Sequence, residues 1–156
     1  MRFLTRDGTP GELRAQWERY SAYLESVRQA LPDEVREFAC AEWHYNPDDH
    51  RCLHDARVRS VAIGFAEGGS GPSITAILKG RNGASWCLHY VDARAYQFTV
   101  FEEPRWPPNV SGDPGDWLVD EVEMTAHGLP EHRVLFSNGG AWAVTCRTFS
   151  VTPADG

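Results

Sequence analysis

The chain has 156 residues, 42% apolar, 24% charged and 12% aromatic, with a net charge of −7 at neutral pH. Such a chain is expected to form a single domain, 1–156, that can bury a core without metal or disulfide. The aromatic share excludes a disordered chain, and the negative charge argues against general binding to nucleic acid or anionic membrane.

Lys79 stands alone beside fourteen arginines, a bias expected of a GC-rich bacterial genome. Met1-Arg2-Phe3-Leu4 is followed by Thr5, Arg6 and Asp7, so the start lacks the apolar core of a signal peptide. No stretch approaches the roughly 18 apolar residues of a membrane span. The expected location is the cytoplasm. There Cys40, Cys52, Cys87 and Cys146, widely spaced and without a CxxC pair, read as buried free thiols.

In chain order, Met1 to Asp7 reads as a short edge strand. Thr9-Pro10-Gly11-Glu12 is a helix start, with Thr9 as N-cap, Pro10 at the first helical position and Glu12 placed for a capping box. Leu13, Trp17, Tyr20, Leu24, Val27 and Leu31 then recur at steps of four and three. One apolar face results, and a helix over 10–30 is expected to dock it on a sheet. Its second use would be a homo-oligomer seam along the 13–31 helix. Pro32, Asp33 and Glu34 open a shorter helix over 32–40, which completes a helical part 10–40. Ala41 to Arg51 breaks the periodicity around Asn46-Pro47-Asp48-Asp49 and gathers Trp43, His44, Tyr45 and His50.

From 56 to 151 the pattern is strand-rich. Seven strands are expected: Val58–Phe65, Ser73–Lys79, one around Trp86, Leu88 and Tyr90, Ala95–Phe101, Trp117–Thr125, Glu131–Ser137 and Ala141–Val151. Arg81-Asn82-Gly83 and Asn138-Gly139-Gly140 supply tight turns. The connections are mostly too short for crossover helices, so the sheet should be mainly antiparallel. The expected fold class is α+β, with one or two N-terminal helices packed on a curved sheet or partly closed roll of about seven strands.

Two groupings could carry chemistry. Cys40, His44, His50, Cys52 and His54 offer thiolate and imidazole within 15 residues, and these are zinc-type ligands. Their spacing lacks the usual ligand pairs, so no metal or other cofactor is favoured, and the residues read better as core and surface groups. The second grouping joins His54 and Asp55 to Asp120, Glu121 and His132. Histidine beside carboxylates is the minimal equipment for acid–base catalysis. Asp120 interrupts an apolar face and needs a partner there, for which His54, Arg57 and Arg133 are the candidates. A buried polar cluster that fixes strand register is the preferred reading of these residues. Gly68-Gly69-Ser70-Gly71-Pro72 fails the G-x-S-x-G pattern at Pro72, and no phosphate-binding glycine motif occurs. Trp43 and Tyr45 in one irregular loop, and Trp106 in the proline-rich 102–116 loop, are candidate anchors for a protein partner.

Leu53-His54-Asp55-Ala56-Arg57-Val58, with Trp117-Leu118-Val119-Asp120-Glu121-Val122 and Glu131-His132-Arg133-Val134-Leu135-Phe136-Ser137-Asn138-Gly139, resembles a group of small uncharacterised bacterial proteins. That group has a helical start, an LHDA-type strand and a DEV…EHxxLFSxG hairpin. Some such proteins resemble immunity proteins of polymorphic toxin systems. The resemblance implies an α+β fold and no reaction. The expected function is an acidic, non-enzymatic protein-binding module of immunity-like type, with a small metal-dependent or His/Asp acid–base enzyme as the alternative.

Overall fold

The computed structural model describes residues 1–5, 7–65, 71–99 and 115–154. Thr9 starts the first helix through a reciprocal cap. Its N–H donates to the Glu12 carboxylate at 2.7 Å, and the Glu12 N–H donates to the Thr9 hydroxyl at 3.4 Å. Helix α1 runs Pro10–Val27 and stops short of residue 30. The Ala30 and Leu31 N–H groups both turn back to the Val27 carbonyl, and Leu31 drops into the core. Helix α2 spans Asp33–Ala39, with Asp33 and Glu34 in its first turn. Among the described residues no helix is long and apolar enough to cross a membrane.

Six strands follow: β1 (Arg57–Gly64), β2 (Ser73–Lys79), β3 (Ser85–Thr99), β4 (Trp117–Met124), β5 (Pro130–Phe136) and β6 (Ala141–Pro153). They form one sheet in the order β1-β2-β3-β6-β5-β4, antiparallel at every pairing. The α+β expectation holds, but the count of seven strands is corrected to six. The expected third and fourth strands are one, because β6 offers β3 an unbroken partner from Thr99 back to Trp86. A register shift between Ala93 and Ala95, with Asp92 at φ 56°, absorbs the irregularity as a bulge instead of a turn.

The sheet does not close into a barrel. Among the described residues its two outer strands meet at one corner, where Asp55 N–H donates to Trp117 O and Trp117 N–H to Ala56 O, both at 2.8 Å. Arg57 and Asp116 bridge beside them. The core sits on one sheet face. Ile74, Ala76, Leu78, Leu88, Val134 and Val144 alternate into it, and α2 lays Val35, Phe38 and Ala39 over β6. The Phe38 ring lies 5.5 Å from that of Phe149.

Strand β4 is an outer strand, and α1 covers it. The Tyr20 and Tyr23 hydroxyls accept the N–H groups of Val122 at 2.6 Å and Met124 at 2.7 Å, donors that an outer strand would otherwise leave unpaired. The N-terminal residues do not form the expected edge strand. They lie as a strap whose Arg2, Phe3 and Leu4 N–H groups all donate to the buried Glu121 carboxylate. The apolar stripe of α1 therefore divides. Tyr20 and Leu24 are buried within the chain, while Leu13 and Trp17 stay 39% and 37% exposed.

Candidate functional site

The most concentrated polar chemistry lies around Asp120, on the core-facing side of β4. A carboxylate there has lost its water and must be satisfied by the protein. Three donors converge on it. Trp117 Nε1–H reaches Oδ1 at 3.0 Å, His44 Nε2 lies 2.9 Å from Oδ2, and His132 Nε2 lies 3.1 Å from Oδ2. Since an ionised carboxylate only accepts, both histidines carry the proton on Nε2. His132 Nδ1 is then an acceptor for the Tyr90 hydroxyl at 2.7 Å. The Tyr90–His132–Asp120–His44 chain is sealed, with no member more than 2% exposed. Burial pushes the Asp120 carboxyl up, but the two imidazoles facing it outweigh burial and hold it well below the usual carboxylate range. Burial also pushes His132 down against the pull of Asp120, and it pushes Tyr90 well up.

Each residue of the chain comes from a different element. Asp120 lies on β4, His132 on β5, Tyr90 on β3 and His44 in the segment after α2. His44 is held between the rings of Phe38 and Tyr45, each at 3.9 Å. The Tyr45 hydroxyl donates to the Asp120 carbonyl at 3.1 Å, and the buried Cys52 thiol to the His44 carbonyl at 3.0 Å. Burial raises the pKa of Cys52, which keeps this thiol a donor. The network thus ties the irregular 40–56 stretch to the sheet.

The structure joins Asp120 and His132 of the acid–base grouping, adds His44 from the metal-type grouping, and separates Glu121 and the His54–Asp55 pair from them. Glu121 points to the opposite face and holds the N-terminal strap. His54 pairs with Asp55 at 3.2 Å near the surface. Both His54 and Asp120 line a cavity of about 60 Å³ but do not bond to each other. Neither arginine proposed for Asp120 reaches it. Arg57 pairs with Asp116 at 2.6 Å and Arg133 with Glu123 at 3.0 Å. The Cys40, His44, His50, Cys52 and His54 set does not converge on one point: His50, Cys52 and His54 line one open pocket of about 400 Å³, and Cys40 and His44 lie outside it. His50 lies 3.7 Å from Asp49 at the surface, and Cys40 opens onto a groove beside α1. Among the described residues no three His, Cys, Asp or Glu side chains are grouped to hold a metal.

Sequence reasoning missed His44, Tyr90 and Trp117 as members of the network. Residues three apart on a strand face opposite sides, which hides Trp117 from Asp120. A register shift between Trp117 and Val119 brings the indole round to the carboxylate. The alternation of β3 does place Tyr90 in the core, and a buried Tyr hydroxyl calls for a partner. That was a usable signal.

Another accessible feature lies outside the network. An open groove of about 550 Å³ runs between α1 and the 39–46 segment, floored by Trp17, Leu24 and Tyr45 and rimmed by Glu25 and Glu42. Trp17 stands edge-on to Tyr45, ring centres 4.3 Å apart. Trp43 turns inward instead, edge-on to Phe38 and with the Arg51 guanidinium 5.5 Å over its ring. Trp106 lies outside the described residues. No protein-family model matches the sequence, and no curated protein matches it.

Proposed function

We propose that the chain is a non-catalytic protein-binding module, and that it receives its partner in the groove between α1 and residues 39–46. The exposed Trp17 against Tyr45 carries this reading. It is a large aromatic pair held at the surface by a rigid support, the composition of an interface anchor. Tyr45 is fixed from behind by Asp120 and Tyr20, so little side-chain entropy remains to be lost on binding. Glu25 is paired with Arg28 of the same lining at 3.2 Å, so Glu42 on the rim and the net charge of −7 are what favour a basic partner. The resemblance of its motifs to a bacterial group with some immunity-like members fits a protein-binding role.

The acid–base alternative has less support. Asp120 and His132 are closed off, and the adjoining cavity of about 60 Å³ compares with roughly 300–1,000 Å³ for sites that enclose a small ligand. The test uses a photo-crosslinking amino acid at position 21 or 42, which line the groove without forming its aromatic anchor, with exposed Ala126 as the control position, in extract of the source cells. One protein should crosslink at 21 and 42 and not at 126, and unlabelled wild-type chain should compete while Trp17→Ala does not. Equal labelling from all three positions would refute the groove.

A further inference from the structure

Among the described residues the outer strand at the other side of the sheet has no cover like that of β4. Beyond the corner at Arg57, no described residue pairs with the outward edge of β1. From Ser60 to Gly64 this strand reads Ser-Val-Ala-Ile-Gly, without charge or proline, and every residue is exposed. Val61 and Ile63 are 41% and 40% exposed, although their register partners on β2, Ala76 and Ile74, are fully buried. Outer strands normally carry a charge, a proline or a covering element, and one that lacks them is a template for another strand.

We propose that β1 is a homodimer interface, in which two copies of the chain pair β1 against β1, antiparallel, about a twofold axis at Ala62. The residues of the strand select both occupant and register. An axis at Ala62 sets Val61 opposite Ile63 of the partner copy and Ser60 opposite Gly64. Directly opposed residues share a face, and Val61 and Ile63 already share one by their spacing of two. The exposed β-branched side chains therefore meet each other. A slip of one residue would set Val61 against Ala62 and bring opposite faces together. Arg57 and Arg59 fall outside the paired stretch, at its two far ends, so like charges do not meet. The twofold arrangement satisfies both outer strands at once and closes the assembly at two chains.

The full chain should show a concentration-dependent rise to twice its mass in light scattering. Val61→Lys and Ile63→Lys should each abolish that rise while leaving unchanged the thermal midpoint measured in dilute solution, where the wild-type chain is also monomeric. In a Cys40→Ser, Cys87→Ser background, Ala62→Cys should oxidise to a disulfide-linked dimer, because it faces its own copy. Ser60→Cys, facing Gly64, should remain monomeric on a non-reducing gel. A single-chain mass at every concentration overturns the proposal. So does a dimer that survives both lysine substitutions, or one that breaks on Leu13→Lys and thus sits on α1. Equal crosslinking from Ser60→Cys and Ala62→Cys overturns the register.

Discussion

The two outer strands of this sheet are finished in opposite ways. On β4 the outward N–H groups are capped by tyrosine hydroxyls from α1, and its side chains are tied down on both faces, Asp120 on the core side and Glu121 on the strap side. On β1 the described residues supply one bridge at Arg57 and leave the rest of the strand exposed. The difference shows where the polar residues of this fold are spent. The buried carboxylates, histidines and tyrosines all serve the covered side, and the uncovered side keeps small and β-branched residues.

Breaking the covered side should cost most at Asp120. Asp120→Ala removes the acceptor shared by Trp117, His44 and His132 and leaves buried donors unpaired, which costs about 3–5 kcal/mol. Urea unfolding should give that loss with little change in slope. Glu121→Gln should come next, at about 2–3 kcal/mol, since it replaces charge-assisted bonds from three strap amides by weaker neutral ones. Tyr20→Phe leaves the Val122 N–H without its acceptor and should cost about 1–2 kcal/mol. Val61→Lys on the bare strand should stay within about 0.5 kcal/mol for the monomer.

The same network sets a pH dependence. His132 is held below its ordinary range by burial, so below about pH 6.5 the unfolded chain takes up a proton that the folded chain refuses. Stability falls with pH in that window. The Asp120 carboxyl is also depressed, so its contribution is present above about pH 4 and is lost as pH falls further. The two effects share one sign. In a thermal-midpoint profile Asp120→Ala should remove the loss below about pH 4 while deepening the one near pH 6.5, because His132 then loses the pull of its carboxylate partner. On the alkaline side burial pushes the Cys146 thiol up to about 12. Its contribution is present below the ordinary thiol range near 8.5 and is lost as pH rises above it.

Much of this architecture is legible in the chain, because it rests on short-range rules. Thr9, Pro10 and Glu12 announce α1, and the alternation in β2 and β5 gives their buried faces. The single strand β3 was not legible, since Asp92 reads locally as a break, and only the length of β6 shows the chain running on. Asp120 announced its need for a partner by interrupting an apolar face, but the partners expected for it, His54, Arg57 and Arg133, are not the ones it has, and His132 was legible only as a member of the same grouping. His44, 76 residues away in sequence, carries no local mark of that contact. The destination of Glu121 was equally hidden, because backbone amides have no sequence signature.

Hydrogen exchange read at two protein concentrations tests the contrast between the two outer strands most directly. The Val122 and Met124 amides should be protected at both, and the Ser60–Gly64 amides not bonded to β2 should exchange fast in dilute solution and slow at high concentration. Val122 and Met124 exchanging as fast as the β1 stretch would contradict the account.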